Sequence, residues 1–294
     1  MNNMTAKVSC FTRAYHYKNN RIHIFKDSAA KLLLGSDYEQ IALNMMNSIS
    51  FFLPGFTGTE EEGLRLIVDK QLSPSVLGRS TFCEKMLEKE KGLGCKQYII
   101  FAAGYDTYSL RNADKGLSVF ELDLPKLLTD KIERIKKIGI KTASVFVPCN
   151  LAEMTWKEKL LQAGYLSTQK SFGSLLGISY YLSKEEFKYL LQTVSELMVD
   201  GSVICFDYPS EDESRESKIN QVLAMGAGEQ MKVQYSDLEL EELLSSCGFK
   251  TTIHLNHAEL TKQYFSDYNN YNSEYSMEAP IGVGYVLAER KTDG

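Results

Sequence analysis

The chain has 294 residues, a net charge of −5 and 44% hydrophobic residues. That length suits one large domain or two small ones, and that composition supplies a full globular core. The mild acidity, with Lys and Arg dispersed, argues against a nucleic-acid partner, and the cluster Lys131–Lys137 reads as a solvated helix face.

The N-terminal stretch MNNMTAKVSCFTRAYHYKNN has no apolar signal core. No later stretch approaches the roughly 18 apolar residues of a membrane span. A cytoplasmic protein without membrane contact is expected. Helical patterns follow over Asp37–Phe52, Glu60–Leu72 and Pro74–Glu90, with Pro74 suited to a helix start. Alternating segments come next. Strands are predicted at Gln97–Phe101, Leu117–Leu122, Ala143–Pro148, Ser174–Ser179 and Ser202–Asp207. Between them lie helical patterns at Lys126–Ile138, Trp156–Ala163 and Lys184–Val199, the last opened by a Ser183/Glu186 capping box. Such alternation implies an α/β fold with a parallel sheet covered on both faces. The last third is less regular. It holds a helix at Asp237–Cys247 that stops at Gly248, then strand-like runs at Lys250–Leu255 and Gly282–Arg290. A Tyr- and Asn-rich stretch lies between those two runs. The six cysteines are scattered without a C-x-x-C pair, which fits reduced thiols rather than a disulfide frame or zinc site.

Residues 97–125, QYIIFAAGYDTYSLRNADKGLSVFELDLP, carry the strongest functional signal. An apolar run ends in the small-residue turn Ala102-Ala103-Gly104. A second apolar run ends in Glu121 and Asp123, about twenty residues past Gly104, the spacing of nucleoside-binding α/β units. The turn lets a ligand approach the backbone, and the acids can accept hydrogen bonds from ribose hydroxyls. The diphosphate fingerprint G-x-G-x-x-G is missing, so a nucleoside without phosphates fits better. S-adenosyl-L-methionine is one such ligand.

The same wording resembles the leucine carboxyl methyltransferase-like family, including its small-molecule, polyketide-type O-methyltransferases. That family has a G-A-G-x-D-T motif, an Arg, then E-x-D-x-P. Here these read Ala102-Ala103-Gly104-Tyr105-Asp106-Thr107, Arg111 and Glu121-Leu122-Asp123-Leu124-Pro125. The resemblance extends through LSPSVLGRSTFCE (72–84), FGSLLGISYYLSKEEF (172–187) and GSVICFDYP (201–209). It implies a class I methyltransferase Rossmann-like sheet of order 3-2-1-4-5-7-6, with the last strand antiparallel. A helical N-terminal cap (1–94) and an α/β cofactor-binding core (95–294) would form one domain.

What the resemblance implies for the site can be stated residue by residue. Arg79 would grip the cofactor's methionine carboxylate, as Arg does bidentately. Ala102, Ala103 and Gly104 would form the turn, and Asp123, or else Glu121, would bind the ribose. Asn150-Leu151 stands where the family usually has Asp-Leu. The Asn150 amide oxygen can still accept from the adenine amino group. Leu176 stands where many relatives have a cofactor-contacting Glu. Tyr180, Tyr181, Asp207 and Tyr208 close strands four and five, where ligands bind in open α/β sheets. Of these, Asp207, Tyr181 and Tyr208 are the candidate catalytic groups. Arg13, in the segment Arg13-Ala14-Tyr15-His16-Tyr17, is a candidate second carboxylate partner. His254 and His257 form H-x-x-H without matched further ligands, so no metal is expected.

The reading is therefore O-methylation of a carboxylate or hydroxyl on a small molecule. Two rivals stay open: a nicotinamide-dependent oxidoreductase, and a non-catalytic cofactor-binding protein of the same fold. The oligomeric state is not indicated.

Overall fold

The computed structural model describes residues 4–112, 116–153, 155–211 and 233–291. A seven-stranded sheet organises them. Its strands are β1 (Gln97–Phe101), β2 (Ser118–Asp123), β3 (Val145–Pro148), β4 (Ser171–Leu175), β5 (Val203–Pro209), β6 (Phe249–Leu255) and β7 (Val283–Arg290). The order is β3-β2-β1-β4-β5-β7-β6, as the resemblance implied. The first five strands are parallel and β7 runs antiparallel to both β5 and β6.

Alternation along each strand sends successive side chains to opposite faces. Tyr98, Ile100, Val119, Phe172, Cys205 and Tyr285 pack on one face, against helix α6 (Ser73–Gly92). Ile99, Phe101, Leu122, Leu175, Phe206 and Val286 pack on the other. That face is covered by α9 (Trp156–Gln162), α10 (Lys184–Leu197) and α11 (Asp237–Ser246). A third cluster joins the N-terminal helices to Tyr105 and Ile135. The helices in it are α1 (Met4–Asn19), α2 (Ala30–Leu34), α3 (Asp37–Met46) and α5 (Glu60–Ile67), while α4 (Ile49–Phe52) contributes no buried residue. The remaining α7 (Tyr108–Arg111) and α8 (Pro125–Ile138) follow β1 and β2.

Three expectations need correction. The helix expected over 37–52 breaks at Asn47-Ser48, where the Ser48 hydroxyl donates back to the Asn44 carbonyl. The helices expected at 60–72 and 74–90 form one line, joined by a π-turn at Val68–Leu72. Pro74 has no N–H and its ring crowds the carbonyl four residues back, and the wider turn relieves that conflict. Finally, β4 starts and ends earlier than expected. It stops at Leu175 because Gly177 turns the chain with φ +65°.

The Tyr- and Asn-rich stretch holds α12 (His257–Leu260), a second π-turn (Thr261–Phe265) and α13 (Ser266–Tyr271). Asn256 and Glu259 form a capping box at its start, a signal present in the sequence. Among the described residues no helix is long and apolar enough to cross a membrane.

Candidate active site

The turn after β1 is held by backbone geometry. Ala102 has φ +49° and Gly104 φ +50°. Left-handed backbone costs an alanine roughly 1 kcal/mol relative to glycine, which explains the family's glycine at the first of these positions. The Ala103 N–H donates to the Leu122 carbonyl at 2.9 Å, tying the turn to the end of β2. A Cβ on Gly104 would lie 3.3 Å from the Ala6 methyl of α1, so the cap helix packs directly on this turn.

Asp123 fastens the turn from the β2 side. One carboxylate oxygen accepts the Gly104 N–H at 2.7 Å and the other accepts the Leu124 N–H at 2.7 Å. Burial raises its pKa above the ordinary Asp range, with these two amides opposing the shift. Each oxygen keeps a second lone pair for a hydroxyl donor. Next to it, the Cys149 N–H donates to the Asp123 carbonyl at 2.9 Å, which sets Asn150 beside the β2 end. The Asn150 amide oxygen accepts the Ala152 N–H at 3.1 Å and its nitrogen donates to Glu153 at 3.2 Å. Leu151 is half-buried against the far-face cluster, and Leu176 is half-buried against the α6-side cluster, to which Ala103 also belongs.

Across the turn, α6 delivers Arg79. Its guanidinium lies 3.6 Å from the Asp207 carboxylate and donates to the Ser9 hydroxyl at 3.3 Å. A Cβ on Gly177 would fall 2.7 Å from the guanidinium, the far end of a flexible side chain, so it is the positive φ that calls for glycine there. Asp207 is fully buried. It accepts the Gly177 N–H at 2.7 Å and the Tyr180 hydroxyl at 3.0 Å, and its carbonyl accepts Ser179 Oγ at 2.7 Å. Burial, then the Asp207 charge, pushes the Tyr180 pKa well up. Tyr181 is half-buried, its ring centroid 6.3 Å from that of Tyr180.

Several candidates sit elsewhere or are already engaged. Tyr208 follows Asp207 on β5 and so points to the opposite face. Its hydroxyl donates to Asp237 at 3.1 Å and meets His254 Nε2 at 2.7 Å. It is not beside Asp207. Asp207 itself has no open side from which to accept a substrate proton and acts as a pin for Arg79, Gly177 and Tyr180. Glu121 shares a face with Asp123 yet is fully enclosed. Its carboxylate accepts from Lys131 Nζ, Ser109 Oγ (2.8 Å) and Ser144 Oγ (2.7 Å). Lys131 is therefore a buried ion-pair partner, not part of a solvated face.

Arg13 is also spoken for. It donates to Asp27 at 2.8 Å and to the Tyr105 carbonyl at 2.8 Å. Asp27 went unnoticed in the sequence, having no motif around it. It accepts from Thr107 at 2.7 Å and pairs with Arg111 at 3.4 Å. Despite its burial, Arg13 and Arg111 hold its carboxylate below the usual range. Thr107 and Arg111 of the family motif thus act here as anchors that fix the turn to the cap. A groove of about 490 Å³ lined by Lys157, Tyr189, Glu196 and Cys247 brings together none of these residues.

A nucleoside-type cofactor fits this donor set: a positive-φ turn, a carboxylate with free lone pairs at the β2 end, and Arg79 beside Gly177, just past the end of β4. The sequence profile described as leucine carboxyl methyltransferase matches residues 6–195. The chain belongs to that family. Among this family member's relatives is YktD of Bacillus subtilis (strain 168), provisionally named an S-adenosyl-L-methionine-dependent methyltransferase. It is 33% identical over 98% of this chain and 98% of its own length. The fold matches a DUF574 family protein from Streptomyces avermitilis (TM-score 0.59, 12% identity, 97% of each chain). It also matches magnesium protoporphyrin IX methyltransferase from Synechocystis, solved with bound SAH (TM-score 0.50, 10% identity, 89% and 100%).

Proposed function

We propose that this chain is an S-adenosyl-L-methionine-dependent O-methyltransferase acting on a small molecule. The carrying observation is Asp123, which ties down the positive-φ turn and keeps lone pairs at the β2 end, while Arg79 sits beside Gly177, just past the end of β4. Arg79 would hold the methionine carboxylate, Asp123 the ribose, and Asn150 the adenine amino group. When bound, the cofactor supplies the electrophilic methyl, so the protein contributes alignment and exclusion of water. Helix α1, packed on the turn at Ala6, covers that end of the site. A carboxylate acceptor needs no general base, and the enclosed Asp207 favours that acceptor over a hydroxyl at the reacting oxygen. A nicotinamide reading has no diphosphate cradle to stand on. We read cap and core as one domain and the protein as cytoplasmic.

Calorimetry tests this reading. S-adenosyl-L-methionine and its demethylated product should bind in the micromolar range, and absence of heat with either on folded protein would count decisively against it. Arg79→Ala should weaken both by about 2–4 kcal/mol, the scale of a lost charge-assisted contact. Adenosine, lacking the carboxylate, should bind variant and wild type alike.

A further inference from the structure

One buried polar face has no part in the constellation above. Arg65, Asp69 and Ser73 follow at four-residue spacing through the π-turn, so they share a side of the helical line. Asp69 is 1% exposed and Ser73 0%. Asp69 Oδ2 meets Arg65 Nε at 3.2 Å, but Asp69 Oδ1 and Ser73 Oγ have no hydrogen-bond partner. A buried polar atom carries its desolvation cost until something meets it. The π-turn adds a second indication, because such turns recur at functional sites.

The surroundings are aromatic. Arg65 donates to Asn20 Oδ1 at 3.0 Å, which also accepts the Tyr268 hydroxyl at 3.2 Å, and its guanidinium lies 3.8 Å over the Tyr275 ring. Burial, then the Asp69 charge, pushes Tyr268 up to about 12 and raises Tyr15. Both phenols are thus neutral and close enough to feel the carboxylate. The face therefore lies between α1 and the C-terminal excursion. Ten residues separate Asp69 from Arg79, about 15 Å of helix.

Arg65 is the paired counter-charge of Asp69, although burial outweighs it and raises the Asp69 pKa to about 6. A cation added here would leave uncompensated positive charge, whereas a hydroxyl can donate to Oδ1 and accept from Ser73 without any imbalance. We propose that the Asp69–Ser73 face recognises a neutral hydroxyl group on the methyl acceptor. This rests on the methyl-transfer reading and adds a substrate class to it: a hydroxylated small molecule, with the hydroxyl remote from the reacting oxygen.

The test titrates the full chain, with and without saturating S-adenosyl-L-homocysteine, with phenol, toluene and benzylammonium by ligand-observed NMR. Phenol should bind at least tenfold tighter than toluene, and benzylammonium no tighter than toluene. Asp69→Leu should erase that preference. Asp69→Asn, which keeps a carbonyl oxygen, should retain part of it. Equal binding of phenol and toluene to wild type, a preference for benzylammonium, or an undiminished preference in Asp69→Leu would overturn the proposal. If Asp69→Leu fails to fold, the wild-type comparison decides alone. Calorimetry with S-adenosyl-L-homocysteine keeps the two readings apart. No cofactor binding sinks methyl transfer, while cofactor binding without phenol preference sinks only the hydroxyl proposal.

Discussion

Two aspartates flank the central β1–β4 pair of the sheet, Asp123 at the end of β2 and Asp207 near the end of β5, and they do different work. Both lie on the α6 side of the sheet, and both accept a backbone N–H from a glycine with positive φ, Gly104 and Gly177. Among the described residues Asp123 has two amide partners, and it is 9% exposed. Asp207 is fully enclosed and also takes the Tyr180 hydroxyl and Arg79. The number of partners decides the role. An acid with spare lone pairs at a strand end can meet a ligand; a saturated one can only hold others in place.

The largest expected effect is at the saturated end. Asp207→Ala leaves Gly177 N–H and the Tyr180 hydroxyl without their acceptor and Arg79 without its buried counter-charge, and should cost about 3–5 kcal/mol in denaturant unfolding. Glu121→Ala strands fully buried Lys131 and should cost a similar amount, although it lies two residues from Asp123 on the same strand. A loss below about 1 kcal/mol for either would break the contrast.

Asp123 should behave otherwise. Its folded pKa lies above its unfolded value, so ionisation is disfavoured by folding. The sign follows: this group's contribution to stability rises as the pH falls through the folded pKa, and a penalty persists at neutral pH. Asp123→Asn keeps an acceptor oxygen and removes that penalty. It should change stability by less than about 1 kcal/mol at pH 7, and wild type should gain on the variant as the pH is lowered. The smallest effect concerns Ala102. Ala102→Gly relieves the φ of +49° but adds unfolded-state entropy, for a net gain of about 0.5 kcal/mol or less by thermal unfolding.

Much of this was legible because local rules act locally. The strand-turn-strand-acid order, the Ser183/Glu186 capping box and the helical patterns after residue 37 follow from periodicity and spacing in one stretch of chain. The roles of Asp207, Tyr208, Glu121 and Arg13 were not. Which face Tyr208 takes depends on the register of β5 against β7, and whether Glu121 is open depends on Lys131, ten residues away on α8. Asp27 gathers Arg13, Thr107 and Arg111 from up to 84 positions away along the chain, and nothing near it in sequence announces that. Partner counts arise only when distant segments pack, and here they separate ligand-facing acids from structural ones.

The most direct measurement titrates wild type and Asp123→Ala with S-adenosyl-L-homocysteine and with its 2′,3′-dideoxy analogue. The natural ligand should lose about 1.5–3 kcal/mol in the variant, the scale of charge-assisted hydrogen bonds. The dideoxy ligand, which cannot make those bonds, should bind both proteins alike. Equal weakening of the two ligands, or of neither, would contradict the placement of the ribose at the end of β2 and with it the whole site.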